Sequence, residues 1–99
     1  MIGLKPAIRI LLLEDAPSDA EMIERELRKS GIDYTSLRVE TREAFIRALH
    51  DFAPDVVLSD FTLSAFDGRD ALDIVRRDFP VLPVIMLPGA LGDEQTVEL

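Results

Sequence analysis

The sequence predicts an open α/β sheet: parallel strands with helices on both faces. Three observations predict it. Short, nearly unbroken apolar runs recur at Ile8–Leu13, Val56–Leu58 and Val84–Leu87, and runs of that length suit strands buried on both sides. Between them lie longer stretches with apolar residues at helical spacing. The connections span a few residues, so strand and helix alternate four times, which calls for right-handed crossovers. No repeat at solenoid periods, Ser/Gly linker or low-complexity tract interrupts the pattern.

The elements follow in order. Ile8–Leu13 reads IRILLL and stops at the charges of Glu14 and Asp15, and Pro17 keeps the strand from continuing. Ser18 with Glu21 three residues later predicts a capping box. Ala20, Ile23 and Leu27 form the inner face of the helix that follows, and Gly31 ends it as a left-handed cap. Tyr34–Val39 alternates weakly and is the most polar of the strands, which places it near a sheet edge. Thr41 caps a second helix with Phe45, Ala48, Leu49 and Phe52 on one face, and Pro54 closes it. Asp55–Ser59 carries a third strand that ends at Asp60. A loop with Thr62, Ser64, Asp67 and Gly68 leads to a third helix with Ala71, Leu72, Val75 and Phe79 inward. Val84–Leu87 is predicted as a fourth buried strand, with Met86 filling the core. Pro88–Gly89 breaks that strand, and Leu91–Leu99 reads as the opening of a fourth helix.

Composition narrows the chemistry. Leu, Ile, Val and Phe fill 34 of 99 positions, so a packed core is expected. The chain has no Cys, which excludes disulfides, thiolate metal sites and a cysteine nucleophile, and its single His, His50, excludes multi-His metal sites. A net charge of −8 repels phosphate backbones, so direct nucleic-acid binding is not expected. No apolar run reaches membrane-span length and Met1–Lys5 is too short for a signal peptide, so a soluble cytoplasmic domain is expected.

In an open parallel sheet, ligands bind beyond the carboxyl ends of the strands. Glu14 and Asp15 close the first strand and Asp60 closes the third. Each alone has the look of a solvated boundary residue; together they place three carboxylates on one sheet end. Like charges that close oppose one another unless a cation offsets them. Mg²⁺ takes hard oxygen ligands, and the Thr62 carbonyl, two residues past Asp60, offers a further one. The remaining features read as structural. His50 and the Arg76–Arg77–Asp78 run belong to solvated helix faces, and Tyr34 to the rim of a strand. Gly89 and Gly92 fit neither phosphate-loop pattern.

The blocks ILLLEDAPSDAE, VVLSDFTLSAFDG and PVIMLPGALGDE, in that order and separation, resemble a bacterial response-regulator receiver domain from Ile8 to Leu99. In particular they resemble receivers attached to, or working beside, sensor histidine kinases. The resemblance implies a flavodoxin-like sheet in the order 2-1-3-4, with residues 1–7 as an N-terminal extension and 8–99 as the receiver. It implies Asp60 as phosphoacceptor and Asp15 as a direct Mg²⁺ ligand. Glu14 would bind the metal directly or through water, Thr62 through its carbonyl, and Gly68 would permit the turn into the third helix. A histidine kinase or phosphotransfer domain would be the partner, and the domain would catalyse at most its own phosphotransfer and dephosphorylation.

Three departures accompany the resemblance. Ser64 stands where the family usually has Pro, at a cost in loop rigidity. Pro88 stands where the family has Thr or Ser, so a hydroxyl that would bond the phosphoryl oxygen is missing. The sequence stops at Leu99, before the family's fifth strand with its terminal Lys and the helix after it. A degenerate receiver that binds and dimerises without stable phosphorylation is the second reading. A Mg²⁺-dependent phosphohydrolase is the third, and Thr62 stands where that class wants a second Asp. An uncovered fourth-strand edge, Val84–Leu87, predicts self-association there or through Leu91–Leu99, or else a natural protein longer than this chain.

Overall fold

The computed structural model describes residues 7–60 and 68–87. The helix expected over Leu91–Leu99 lies outside the described residues. Strands and helices alternate: β1 (Ile8–Leu13), α1 (Pro17–Ser30), β2 (Tyr34–Val39), α2 (Arg42–Asp51), β3 (Val56–Asp60), α3 (Gly68–Asp78) and β4 (Val84–Leu87). All neighbouring strands are parallel and the order is β2-β1-β3-β4, as the sequence predicts. No described helix is long and apolar enough to cross a membrane.

β1 owes its central place to four consecutive buried residues, Ile10 to Leu13. Alternate side chains go to opposite faces of a strand. Leu11 and Leu13 pack with Phe45, Ala48 and Leu49 of α2 and with Ala71, Ile74 and Val75 of α3. Ile10 and Leu12 pack with Ala20 and Ile23 of α1. So α1 covers one face of the sheet, and α2 and α3 cover the other. The base of β1 is locked to the residue before β3: the Arg9 N–H donates to Asp55 Oδ2 at 2.9 Å, and the Asp55 N–H donates to the Arg9 carbonyl at 2.8 Å.

Helix ends follow the sequence at three of the four termini that can be compared. The Thr41 hydroxyl accepts the Ala44 N–H at 3.1 Å and caps α2. Gly31, at φ 81°, ends α1 in the left-handed conformation. Ala53 turns the chain at φ 51° after α2, just ahead of Pro54. The exception is the start of α1, where the Ser18–Glu21 capping box does not form. Pro17 takes the first helical position, which suits its fixed φ and missing N–H, and the N-cap moves back to Ala16, whose side chain makes no capping bond.

Two corrections concern the core. Leu72 is only half-buried, whereas Ile74 is buried, because Ala71, Ile74, Val75 and Phe79 share the inner face at i, i+3, i+4 and i+8. β4 has the expected bounds but is not a buried strand: Ile85 is 50% exposed, and Val84, Met86 and Leu87 are half-buried. Among the described residues β4 has a neighbour on one side alone, β3. Met86 is therefore a partly covered residue of an outer strand rather than a core filler.

β2, at the other edge, joins α1 through polar groups. The Tyr34 hydroxyl donates to Glu24 Oε1 at 2.8 Å and the Ser36 hydroxyl donates to Glu24 Oε2 at 2.6 Å. Burial and then the Glu24 hydrogen bond hold the Tyr34 hydroxyl above its ordinary pKa of 10.0.

Two predictions follow from this packing. Phe45 is fully buried, so Phe45→Ala should lower stability by about 3–5 kcal/mol, read as a shift of the urea midpoint. Tyr34→Phe should cost about 1 kcal/mol near neutral pH. A raised folded-state pKa gives stability that is complete below the ordinary value and is lost as pH rises through the folded-state value. The gap between parent and Tyr34→Phe in urea titrations should therefore stay constant up to about pH 9 and narrow above pH 10.

Candidate functional site

The carboxyl ends of β1 and β3 lie side by side. Leu13 pairs with Ser59 across the two strands. Glu14 and Asp60 are each the next residue, and Asp60, the last residue of β3, pairs with Leu87, the last of β4. The polar strand ends that the sequence singled out thus share one end of the sheet. The Asp60 side chain, Thr62 and Pro88 lie outside the described residues.

Glu14 is the best-defined acid of this end. It is 2% exposed, directly after a strand of buried Leu residues. A buried carboxyl group needs hydrogen-bond partners, and Glu14 Oε2 accepts the Ala16 N–H at 3.0 Å, just ahead of the first turn of α1. The helix N-terminus favours an acid at this position. The Glu14 peptide groups are also held. Its N–H donates to the Val39 carbonyl at 3.1 Å, and its carbonyl accepts from Arg38 Nη1 at 2.9 Å. Asp15 follows, half-buried.

These acids supply hard oxygen donors of the kind that suits Mg²⁺. Among the described residues, no three His, Cys, Asp or Glu side chains gather as a metal site; the described part of the acidic constellation is the Glu14–Asp15 pair.

Two residues at this end were not singled out from the sequence. Ser59 is fully buried beside the end of β1. Arg38 stands at the end of β2, bonded to Glu14 and 3.6 Å from the Glu40 carboxylate. A sequence signal existed for Arg38: Tyr34, Ser36 and Arg38 are polar at every second position, which puts one polar face on β2. A concave region of about 500 Å³, lined by Leu49, Pro54, Asp55, Phe79, Val81 and Pro83 among others, lies at the opposite, amino end of β3 and β4.

Comparison with known proteins agrees with this architecture. Residues 10–99 match the family model of the response regulator receiver domain. The chain is similar to the DNA-binding response regulator MtrA of Mycolicibacterium smegmatis, with 38% identity over 79 residues, 80% of this chain and 33% of the relative. It is also similar to the DNA-binding transcriptional regulator NtrC of Proteus hauseri, with 30% identity over 78 residues, 79% of this chain and 16% of the relative. Thus the chain spans a third or less of the length of these two relatives. Among solved structures, the MaeR response regulator bound to beryllium trifluoride superposes with a TM-score of 0.76 at 26% identity, over 93% of this chain and 80% of that one. The phosphorylated cyanobacterial phytochrome response regulator RcpA gives 0.67 at 25% identity, over 91% and 71%. With residues 10–99 of the chain matched by the family model and the sheet in the order β2-β1-β3-β4, the chain belongs to the response regulator receiver domain family.

Proposed function

We propose that this domain takes a phosphoryl group from a histidine kinase, or from a phosphotransfer domain, onto Asp60 in the cytoplasm. Glu14, Asp15, Asp60 and the Thr62 carbonyl would hold Mg²⁺. The observation that carries the reading is the Leu13–Ser59 pairing, which sets the acid-bearing ends of β1 and β3 next to one another. Two similar structures support it, one solved with beryllium trifluoride bound and one phosphorylated.

In this reading an Asp60 carboxylate oxygen attacks phosphorus. The P–N bond of the phosphohistidine breaks, the imidazole nitrogen leaves with the electron pair, and an acyl phosphate remains on Asp60. A bound Mg²⁺ would offset charge on the moving phosphoryl group. Gly68, the first residue of α3, would permit the turn into that helix.

Pro88 favours a second reading, a binding module that keeps the fold without stable phosphorylation. Proline has neither hydroxyl nor N–H to offer a phosphoryl oxygen.

Mass spectrometry after incubation with a small acyl-phosphate donor and Mg²⁺ separates the readings. The parent should gain a single phosphoryl increment, Asp60→Ala none, and Asp15→Asn should bind Mg²⁺ more weakly by calorimetry. No increment in the parent would leave the binding module as the reading. Pro88→Thr should lengthen the life of the phosphorylated form, because threonine supplies the missing donor. An unchanged lifetime would remove Pro88 from this account.

A further inference from the structure

Arg38 is a cation bonded to Glu14, and its place is unexpected on electrostatic grounds. A fixed positive charge beside a divalent-cation site opposes the cation. The hydrogen bonds give it a different task. Asp15 is flanked by two peptide groups, each planar and so orientable by one bond. The first, between Glu14 and Asp15, is held through its carbonyl by Arg38 Nη1 at 2.9 Å. The second, between Asp15 and Ala16, is held through its N–H by the Glu14 carboxylate at 3.0 Å. Two side chains therefore set the backbone angles of Asp15.

The guanidinium is itself held. Arg38 lies in β2 opposite Leu12, and the Glu40 carboxylate stands 3.6 Å from the same Nη1 that reaches Glu14. Its side chain is 33% exposed, so most of it is covered. The β1–β2 ladder runs out at the Glu14 N–H, which bonds the Val39 carbonyl. At the carbonyl of the same residue, a side chain rather than a backbone ladder supplies the partner.

We propose that Arg38 is a positioning residue for the cation site: by holding the Glu14 carbonyl it fixes Asp15, and this outweighs the repulsion between its own charge and Mg²⁺. The inference rests on the Mg²⁺ reading above. Positioning and repulsion have opposite signs, so the two effects are separable. Outer partners that orient metal ligands commonly change affinity by about 10- to 100-fold.

The test uses the parent, Arg38→Met, which keeps the stem, and Arg38→Lys, which keeps a charged donor. Two readouts are taken: Mg²⁺ affinity by calorimetry, and metal-free amide exchange at Asp15 and Ala16 by NMR, with thermal melts to show that each variant is folded. Arg38→Met should weaken Mg²⁺ binding on the order of tenfold and speed exchange at both amides, and Arg38→Lys should recover part of each. Equal or tighter Mg²⁺ binding in a folded Arg38→Met would overturn the proposal, as would unchanged exchange. A parent that binds no Mg²⁺, with exchange still faster in Arg38→Met, would instead overturn the cation reading and leave Arg38 as a purely structural pin.

Discussion

Burial of the Glu14 carboxyl group at the tip of a strand of leucines is the constraint around which this domain is arranged. An acid with 2% exposure has to find its partners within the protein. The nearest supply of unpaired donors is the start of a helix, and α1 begins three residues later with its N-cap N–H on Glu14. That fixes the length of the β1–α1 connection and the direction in which α1 leaves the sheet. The same residue is tied sideways into β2 through Val39 and Arg38. One residue thus joins three elements at the end of the sheet that carries the acids.

The register of β1 against β3 is set at both ends. Below, Arg9 and Asp55 exchange two hydrogen bonds; above, Leu13 faces Ser59. A slip of one residue would turn every side chain of β1 to the wrong face, moving Leu11 and Leu13 from the α2–α3 core to the α1 side. The relative placement of Glu14 and Asp60 along the chain is therefore a property of the hydrophobic core as much as of the acids themselves.

The sheet was legible in the sequence because its signals are coarse. IRILLL, VVL and VIML are apolar enough to mark strands, and Gly31, Thr41 and Pro54 mark helix ends through backbone chemistry that tertiary context did not override. The start of α1 differs from expectation because Ser18 and Glu21 satisfy the capping pattern, yet Pro17 is the better first residue and a carboxylate from outside the helix takes the N-cap N–H. β4 looked buried because its four residues are all apolar, but cover depends on neighbouring elements, which composition does not specify. Among the acids, strand-end position singles out Glu14, Asp15 and Asp60, and the structure sets Glu14 and Asp60 at neighbouring strand ends. The polar alternation of β2 marks a polar face, but the partner Arg38 finds there, a backbone carbonyl 24 positions away, is not encoded by spacing.

The central place of β1 has a consequence for the order of synthesis. Of the four described strands β1 leaves the ribosome first, and one of its edges is closed by β2 soon after α1. Its other edge waits for β3, which begins only at Val56. At about 5–20 residues per second this leaves the Leu11–Leu13 run with an open edge for roughly a few seconds. An apolar strand with unpaired amides is a template for other chains. The residue run that gives the finished domain its core is thus the one most exposed to misassociation while the domain is being made.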